Sequence, residues 1–176
     1  ITANERPRVI YADGADLKMG RYAFESATYW DGARWHTRTI MEDVDPTHLA
    51  LDITPDGLEW GLMRTASGAL HQVNFSGAYW THDLLDAGPV GEDFELEIDA
   101  NGVAHVLYSR TNTGDVVLLR VDGFEHDVRI LLRDGDLVDA LGMDLDANNI
   151  EQIATASQTG STFSLNLIRS LSGQDT

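Results

Sequence analysis

The chain has 176 residues, of which 43% are hydrophobic, and this is enough for a compact domain with its own core. Its formal net charge of −17 disfavours binding to nucleic-acid phosphates or to anionic lipid. The absence of cysteine excludes disulfides, thiol catalysis and cysteine-based zinc sites, and no apolar run approaches the ~20 residues of a membrane span.

Residues 1–46 predict three β-strands separated by turns. Residues 1–4 align with the later residues 53–56, so we expect the chain to start at the end of a strand most of which is absent. One turn is marked by Gly14 and another by Gly32, and short apolar runs flank each of them. This first repeat therefore lacks only its first strand.

Residues 47–92 predict a complete unit of four short strands. The first strand ends in a turn at Gly57, a hairpin loop follows at Gly68, and a further turn lies at Gly77. Trp80 stands just after that turn, where we expect its ring to pack between neighbouring sheets.

The same turns return further along the chain. The turn at Gly57 returns at Gly102 and Asn149, at spacings of 45 and then 47 positions. The turn at Gly77 returns at Gly123, 46 positions later. Two independent markers on one period indicate an internal repeat. The four repeats occupy approximately residues 1–46, 47–92, 93–139 and 140–176, and the last one lacks a fourth strand.

Four antiparallel strands per ~45 residues are typical of a β-propeller blade. A blade cannot bury both of its faces alone, so neighbouring blades must stack. The sequence therefore predicts an all-β fold, a single β-propeller domain or propeller segment over residues 1–176, with about four blades of which the first and last are incomplete. We expect an open arc, or a ring completed by another chain or by further sequence.

The residue pattern of these repeats is similar to that of a known family. Residues 16–22 and 31–35, with a strand, a glycine-containing hairpin and a Gly-x-x-Trp turn, resemble bacterial sialidase-like (BNR-type) β-propeller repeats. The resemblance implies a propeller and an extracellular, periplasmic or cell-surface location. The Ser-x-Asp-x-Gly-x-Thr-Trp box of true sialidases is absent, as is a recognisable set of sialidase catalytic residues. The resemblance therefore implies a fold and no particular activity.

Two acidic turns imitate the start of a calcium-binding loop, with oxygen-bearing side chains at alternate positions. The later acidic ligand of such loops is missing, because His105 and Gln152 follow instead. Asp and Asn also cap tight turns by accepting backbone N–H groups. We expect that role, with calcium as the alternative and no other cofactor. The candidate calcium ligands are Glu97, Asp99, Asn101, Asp144, Asp146 and Asn148.

Aromatic residues near turns are the candidate ligand-binding or partner-binding residues. Their faces stack on sugars and on partner side chains, although the same rings also seal blades together in many proteins. Tyr29 and Trp30 lie in an insertion found only in the first repeat. His105 is included because sialidase-like repeats often carry His at its position. The set is Tyr29, Trp30, Trp60, Tyr79 and His105.

No catalytic residue is assigned from the sequence. His105 and Tyr108 share one predicted strand at i and i+3, so they point to opposite faces and do not form a simple pair. We expect a non-catalytic binding or assembly module that presents loops and aromatic side chains to a protein or glycan partner. That partner, or a second copy, completes the ring or caps sheet edges. The alternative is a fragment of a carbohydrate-active enzyme, a glycoside hydrolase or polysaccharide lyase, with an axial active site.

Overall fold

The computed structural model describes residues 8–24, 33–76, 78–133, 138–159 and 161–169, and these residues form 14 β-strands. No described segment is a helix long and apolar enough to cross a membrane. In chain order the strands are β1 (Arg8–Asp13), β2 (Asp16–Phe24), β3 (Ala33–Met41), β4 (Pro46–Ile53), β5 (Glu59–Thr65), β6 (Leu70–Phe75), β7 (Trp80–Asp86), β8 (Val90–Ile98), β9 (Ala104–Arg110), β10 (Asp115–Asp122), β11 (Glu125–Arg133), β12 (Val138–Leu145), β13 (Glu151–Thr159) and β14 (Thr162–Arg169).

The strands form four separate antiparallel sheets. Blade 1 contains β1–β3, blade 2 contains β4–β7, blade 3 contains β8–β11, and blade 4 contains β12–β14. Within each blade, strands that follow one another in the chain are hydrogen-bonded neighbours. The predicted all-β propeller segment, with incomplete first and last blades, is confirmed.

The turn that marks the repeat has a similar backbone conformation in three blades. Gly57 and Gly102 have φ values of 87° and 85°, and Asn149 has a φ of 59°. Most side chains disfavour this left-handed region, whereas Gly and Asn tolerate it. The N–H of Gly102 donates to the carbonyl of Asp99 at 3.0 Å, and the other two turns close in the same way. This backbone requirement makes the repeat visible in the sequence.

Blade 3 buries both of its faces, because successive side chains of a strand point to opposite sides. Val106 points toward blade 2 and joins a core that includes Leu62. Leu107 and Leu118 point the other way and pack with Ile153 of blade 4. Each of these buried side chains contributes about 1.5–3 kcal/mol through the hydrophobic effect. Stacking of blades therefore supplies the core.

Blades 1 and 2 share a smaller core. Leu17 of blade 1 packs with Met63 and Val73 of blade 2. Trp80 packs at the edge of this core, as expected, and its ring centroid lies 5.3 Å from that of Phe75. The repeat position of Trp80 does not play this role everywhere, because the corresponding residue of blade 3 is an exposed histidine.

The first strands of blades 2, 3 and 4, which are β4, β8 and β12, lie next to one another across the blade junctions. Side chains link them: Asp52 accepts a hydrogen bond from the N–H of Ile98 at 2.9 Å, and Asp93 accepts one from the N–H of Leu141 at 2.8 Å. Within the described ranges, blades 1 and 4 do not pack against each other. The described parts of the four blades therefore form an open series, and no described residue covers one face of blade 4.

Candidate functional site

A buried carboxylate joins blades 3 and 4. Glu151, the first residue of β13, is 0% exposed. Its Oε1 lies 2.6 Å from Nδ1 of His105, and Arg120 donates to its two oxygens at 2.6 and 2.7 Å. Burial opposes ionisation, but the hydrogen bonds from His105 and Arg120 outweigh it and hold the pKa of Glu151 well below its usual range. The carboxylate is therefore a charged link between two blades.

The imidazole of His105 is fixed by this contact. Because the carboxylate is ionised, Nδ1–H of His105 is the donor toward Glu151. On the other side of the ring, Nε2 is buried and 3.7 Å from Oδ2 of Asp99, which is too long for a hydrogen bond. Asp99 is instead engaged by its own turn. The histidine thus acts as an oriented donor within the blade junction.

The same arrangement recurs between blades 1 and 2. Glu59 begins β5, the strand after its turn, and its side chain is buried. Nε of Arg8 lies 3.2 Å from its Oε1, and Arg21 pairs with its Oε2. Arg8 and Arg21 face each other across β1 and β2, just as His105 and Arg120 do across β9 and β10. Two blade junctions therefore use one ionic design.

The junction between blades 2 and 3 carries no charged side chain at the equivalent positions. The cross-strand pair there is Trp60 and Asn74, and Trp60 belongs to the core between the two blades. Ala104, which is fully buried, stands where the other two junctions have a glutamate. A glutamate on one blade therefore accompanies an arginine in the cross-strand pair of the preceding blade.

A further polar contact ties blade 2 to blade 3. Oδ2 of Asp86 accepts hydrogen bonds from the hydroxyl of Tyr108 at 2.9 Å and from Nε of Arg110 at 2.8 Å. Burial opposes ionisation of Asp86, but hydrogen bonds from the Gly88 N–H, Arg110 and Tyr108 lower its pKa overall. Burial and the bond to Asp86 raise the pKa of Tyr108. Tyr108 thus points toward blade 2, on the face opposite to His105.

Three carboxylates lie at one repeat position in the first strands of blades 2, 3 and 4. Asp52, Glu97 and Asp144 stand at the same place in β4, β8 and β12. Burial and the negative charges of Asp52 and Asp144 raise the pKa of Glu97. These three residues, called the acidic column below, lie on the adjacent first strands of blades 2, 3 and 4.

The uncovered face of blade 4 is apolar. On β14, Phe163, Leu165 and Leu167 are 77%, 69% and 79% exposed. The cross-strand registers make Leu165 and Leu167 equivalent to Val116 and Leu118 of blade 3. Those two residues are 0% exposed, because blade 4 covers them. Blade 4 thus presents to solvent the positions that its neighbour buries.

A surface hollow of about 440 Å³ lies against this face. Gly142 and Ala154 line it together with Leu167 and Arg169. A Cβ added to Gly142 would meet no atom within 4 Å, so open space lies above that backbone. The hollow has room for side chains from a partner.

Comparison with solved structures gives a likeness in fold. No family model and no curated protein matches the sequence. The chain is similar to a solved structure titled "NanB plus Optactamide", in which NanB is a bacterial sialidase. The TM-score is 0.52 at 14% identity, over 96% of this chain and 29% of that chain.

The chain shares a sialidase-like β-propeller fold. It spans less than a third of the length of the sialidase chain, and at this identity the likeness concerns the fold alone. The resemblance inferred from the repeats is therefore confirmed at the level of the fold. The ion pairs of Glu59 and Glu151 lie in the junctions between stacked blades.

The predicted binding residues lie in different parts of the propeller. Trp60 and His105 are buried in blade junctions, where they contact other side chains of the chain. Tyr79 is exposed in the turn before β7. Tyr29 and Trp30 lie outside the described residues. Of the described members only Tyr79 presents its ring to solvent, and the role of the set in ligand binding stays a prediction.

The acidic turns use their carboxylates to close the turns themselves. Oδ1 of Asp99 accepts from the N–H groups of Asn101 and Val103 at 2.8 and 2.9 Å. Oδ1 of Asp146 likewise accepts from the N–H groups of Asn148 at 2.8 Å and Ile150 at 3.1 Å. In the part of the chain that the structure describes, no group of three or more His, Asp or Glu side chains is placed to hold a metal ion. Calcium binding stays an untested prediction.

Sequence reasoning missed the two glutamates that join the blades. Glu59 and Glu151 each stand two positions after the turn residue, Gly57 or Asn149. A carboxylate recurring at one repeat position, on strands that pack against a neighbouring blade, was the available signal.

Proposed function

We propose that this chain is a non-catalytic β-propeller module that assembles with a protein partner through the free face of blade 4. The observation that carries the proposal is the contrast between Leu165 and Leu167, at 69% and 79% exposed, and their fully buried counterparts in blade 3. A contiguous exposed apolar patch is typical of an interaction surface. The sialidase-like fold favours an extracellular, periplasmic or cell-surface setting for this assembly.

The buried polar groups support a structural role over catalysis. His105, Arg120 and Glu151 bind one another across a junction, and Arg8, Arg21 and Glu59 do the same in the first junction. A catalytic acid or base must reach a substrate proton. These groups are instead turned toward each other between stacked sheets.

A glycan is a further ligand class for the module. Tyr79 is exposed at a turn, where an aromatic ring can stack on a sugar. Its hydroxyl and ring are available without any rearrangement of the blade junctions.

The acidic column gives the second candidate function, a fragment of a carbohydrate-active enzyme. Glycosidases use two carboxyl groups, one of which has a raised pKa and acts as the acid. The raised pKa of Glu97, caused by burial and by Asp52 and Asp144, fits the acid of such a pair. The likeness to a sialidase fold favours the same class.

An activity assay separates the two candidates. The purified chain is incubated with fluorogenic sialosides and a panel of other fluorogenic glycosides between pH 4 and 8, and a β-elimination assay on acidic polysaccharides covers lyase activity. We expect no turnover above the protein-free blank. Turnover that is lost in both Glu97→Gln and Asp144→Asn, and kept in Glu92→Gln at an exposed position, would establish the enzyme instead.

A further inference from the structure

Resting on the proposed function, we propose that the partner covering the free face of blade 4 is a further propeller blade. This blade carries a carboxylate at the repeat position of Glu59 and Glu151, and that carboxylate pairs with Arg169. The inference follows from the register of the repeats, the charges at the three existing junctions, and the shape of the free face.

The register places Arg169 at an established junction position. Arg169 pairs across β13 and β14 with Gln152, as Arg120 pairs with His105 across β9 and β10. Gln152 and Arg169 are both exposed, and they lie on the same free face as Leu167. Blade 4 therefore presents an arginine where blade 3 uses one to hold the next blade.

Charge pairing at the existing junctions predicts what meets this arginine. Arg120 of blade 3 forms an ion pair with Glu151 of blade 4, and Arg21 of blade 1 forms one with Glu59 of blade 2. The pair on blade 2 contains no arginine, and the next blade has the apolar Ala104 there. All three junctions thus obey one relation between arginine and glutamate. Because blade 4 has the arginine, its partner should have the carboxylate.

Arg169 already has one contact on its own blade, and the carboxylate at the same repeat position of blade 3 acts on Arg120 through its charge. Nη2 of Arg169 lies 3.0 Å from Oδ2 of Asp146. The corresponding turn residue of blade 3 is Asp99, whose charge acts on Arg120 while Arg120 still donates to the next blade. The contact with Asp146 therefore leaves donors of Arg169 available to a partner.

The shape of the free face fits the apolar side of a blade. On blade 3, the large Leu107 occupies the position of Ala154 and meets Met143 and Ile153 of blade 4. On blade 4 the smaller Ala154 and Gly142 leave a hollow of about 440 Å³. A partner blade can fill this space with apolar side chains that are larger than the residues at the same repeat positions of blade 4.

A second copy of this chain fits the face less well. In the sequence, Pro7 stands at the repeat position of Glu59, so the first repeat has no carboxylate at that position. Two copies would also bring together chains that each carry a formal charge of −17. The occupant is therefore a blade of different sequence.

The test uses a single thiol, because the chain contains no cysteine. Leu165→Cys, made in the original blade 4 only, places that thiol on the free face. Because Arg169 stands at the repeat position of Arg120, a copy of residues 121–169 placed directly after Arg169 continues the repeat in register. The copy supplies a fifth blade, which carries its own Glu151. The readout is the rate at which the introduced thiol reacts with an aromatic disulfide reagent.

We expect fast reaction in the unextended chain, independent of protein concentration, and a rate at least about tenfold lower in the extended chain, since the thiol then reacts only when the junction opens. Glu151→Gln in the appended copy should restore most of the rate. Glu125→Gln in the appended copy, at an exposed position of the β11 sequence, is the matched control and should leave the protection intact.

Four outcomes would overturn the inference. Protection of the unextended chain that grows with concentration would make a second copy the occupant. A thiol that stays unprotected in the extended chain would exclude a blade as the occupant. So would an appended blade that stays unfolded while the original blades keep their thermal transition, because a blade folds only by burying a face on its neighbour. Equal effects of the two substitutions would show that the appended Glu151 carboxylate does not hold the junction, so that part of the inference would be wrong. In each case the activity assay still decides separately whether the chain is a non-catalytic module.

Discussion

The carboxylate of Glu151 lies 2.6 Å from Nδ1 of His105, although the two residues are 46 positions apart and belong to different blades. Arg120 completes the contact from the strand next to His105. Such a junction replaces hydration of the carboxylate with three directed donors. It fixes how one blade sits on the next, because the pair is strong only when both blades are in register.

Removing this carboxylate should weaken the fold strongly. Glu151→Ala leaves Arg120 and His105 without their buried partner, and we expect the free energy of unfolding to fall by about 3 kcal/mol. Urea unfolding followed by circular dichroism measures the change. Glu125→Ala, at an exposed position in β11, is the control and should cost less than about 0.5 kcal/mol. Equal losses in the two variants would mean that the buried pair contributes no more than a surface charge.

The same contact predicts how stability depends on pH. Hydrogen bonds lower the folded-state pKa of Glu151 below its ordinary value of 4.5, so its contribution is complete above pH 4.5 and is lost as the pH falls through the folded-state pKa. Asp86 and Asp99, whose pKa values are also lowered, act in the same direction. The urea midpoint should therefore decline below about pH 4.5.

Glu151→Gln provides the control for this pH profile. The variant has no carboxyl group to protonate at that position, so its stability should decline less steeply below pH 4.5 than that of the unchanged chain. Parallel profiles would show that other groups set the acid limit.

The repeat and the strand count could be predicted because local chemistry fixes them. Gly57 and Gly102 have positive φ values that few other residues adopt, so their spacing survives in the sequence. The junctions could not be predicted in this way. Glu151 and His105 meet only because two sheets stack, and neither neighbourhood in the sequence reveals the other. Trp60 shows the same limit, since its position near a turn is compatible with the rim and with the junction where it lies.

The acidic column predicts a substitution that stabilises the chain. Burial and the charges of Asp52 and Asp144 raise the pKa of Glu97, so its ionised form is disfavoured in the folded state. Glu97→Gln should raise the free energy of unfolding at pH 7 by roughly 0.5 kcal/mol. The contribution of Glu97 is fully present below pH 4.5 and is lost as the pH rises through its raised pKa, so the advantage of the variant should appear only at the higher pH.

Thermal unfolding at pH 4 and pH 7 checks this expectation. Glu92→Gln, at an exposed position in the same strand, is the matched control and should change the transition temperature little at either pH. A lower transition temperature for Glu97→Gln at pH 7 would indicate that the Glu97 carboxylate makes a favourable contact that outweighs its repulsion by Asp52 and Asp144.

The free face of blade 4 predicts unequal costs for two equivalent leucines. Leu118 and Leu167 occupy the same repeat position, but Leu118 is 0% exposed and Leu167 is 79% exposed. Leu118→Ala should lower the free energy of unfolding by about 2–5 kcal/mol, because it opens a cavity in the core between blades 3 and 4. Leu167→Ala should cost less than about 0.5 kcal/mol, since the side chain is already in water.

Urea unfolding of the two alanine variants, compared with the unchanged chain at several protein concentrations, measures this difference. A large cost for Leu167→Ala that disappears on dilution would show that copies of the chain already cover the face in solution. A large cost at every concentration would mean that the face is covered within the chain itself. Either result contradicts an uncovered apolar face, because a leucine that contacts only water has no packing to lose.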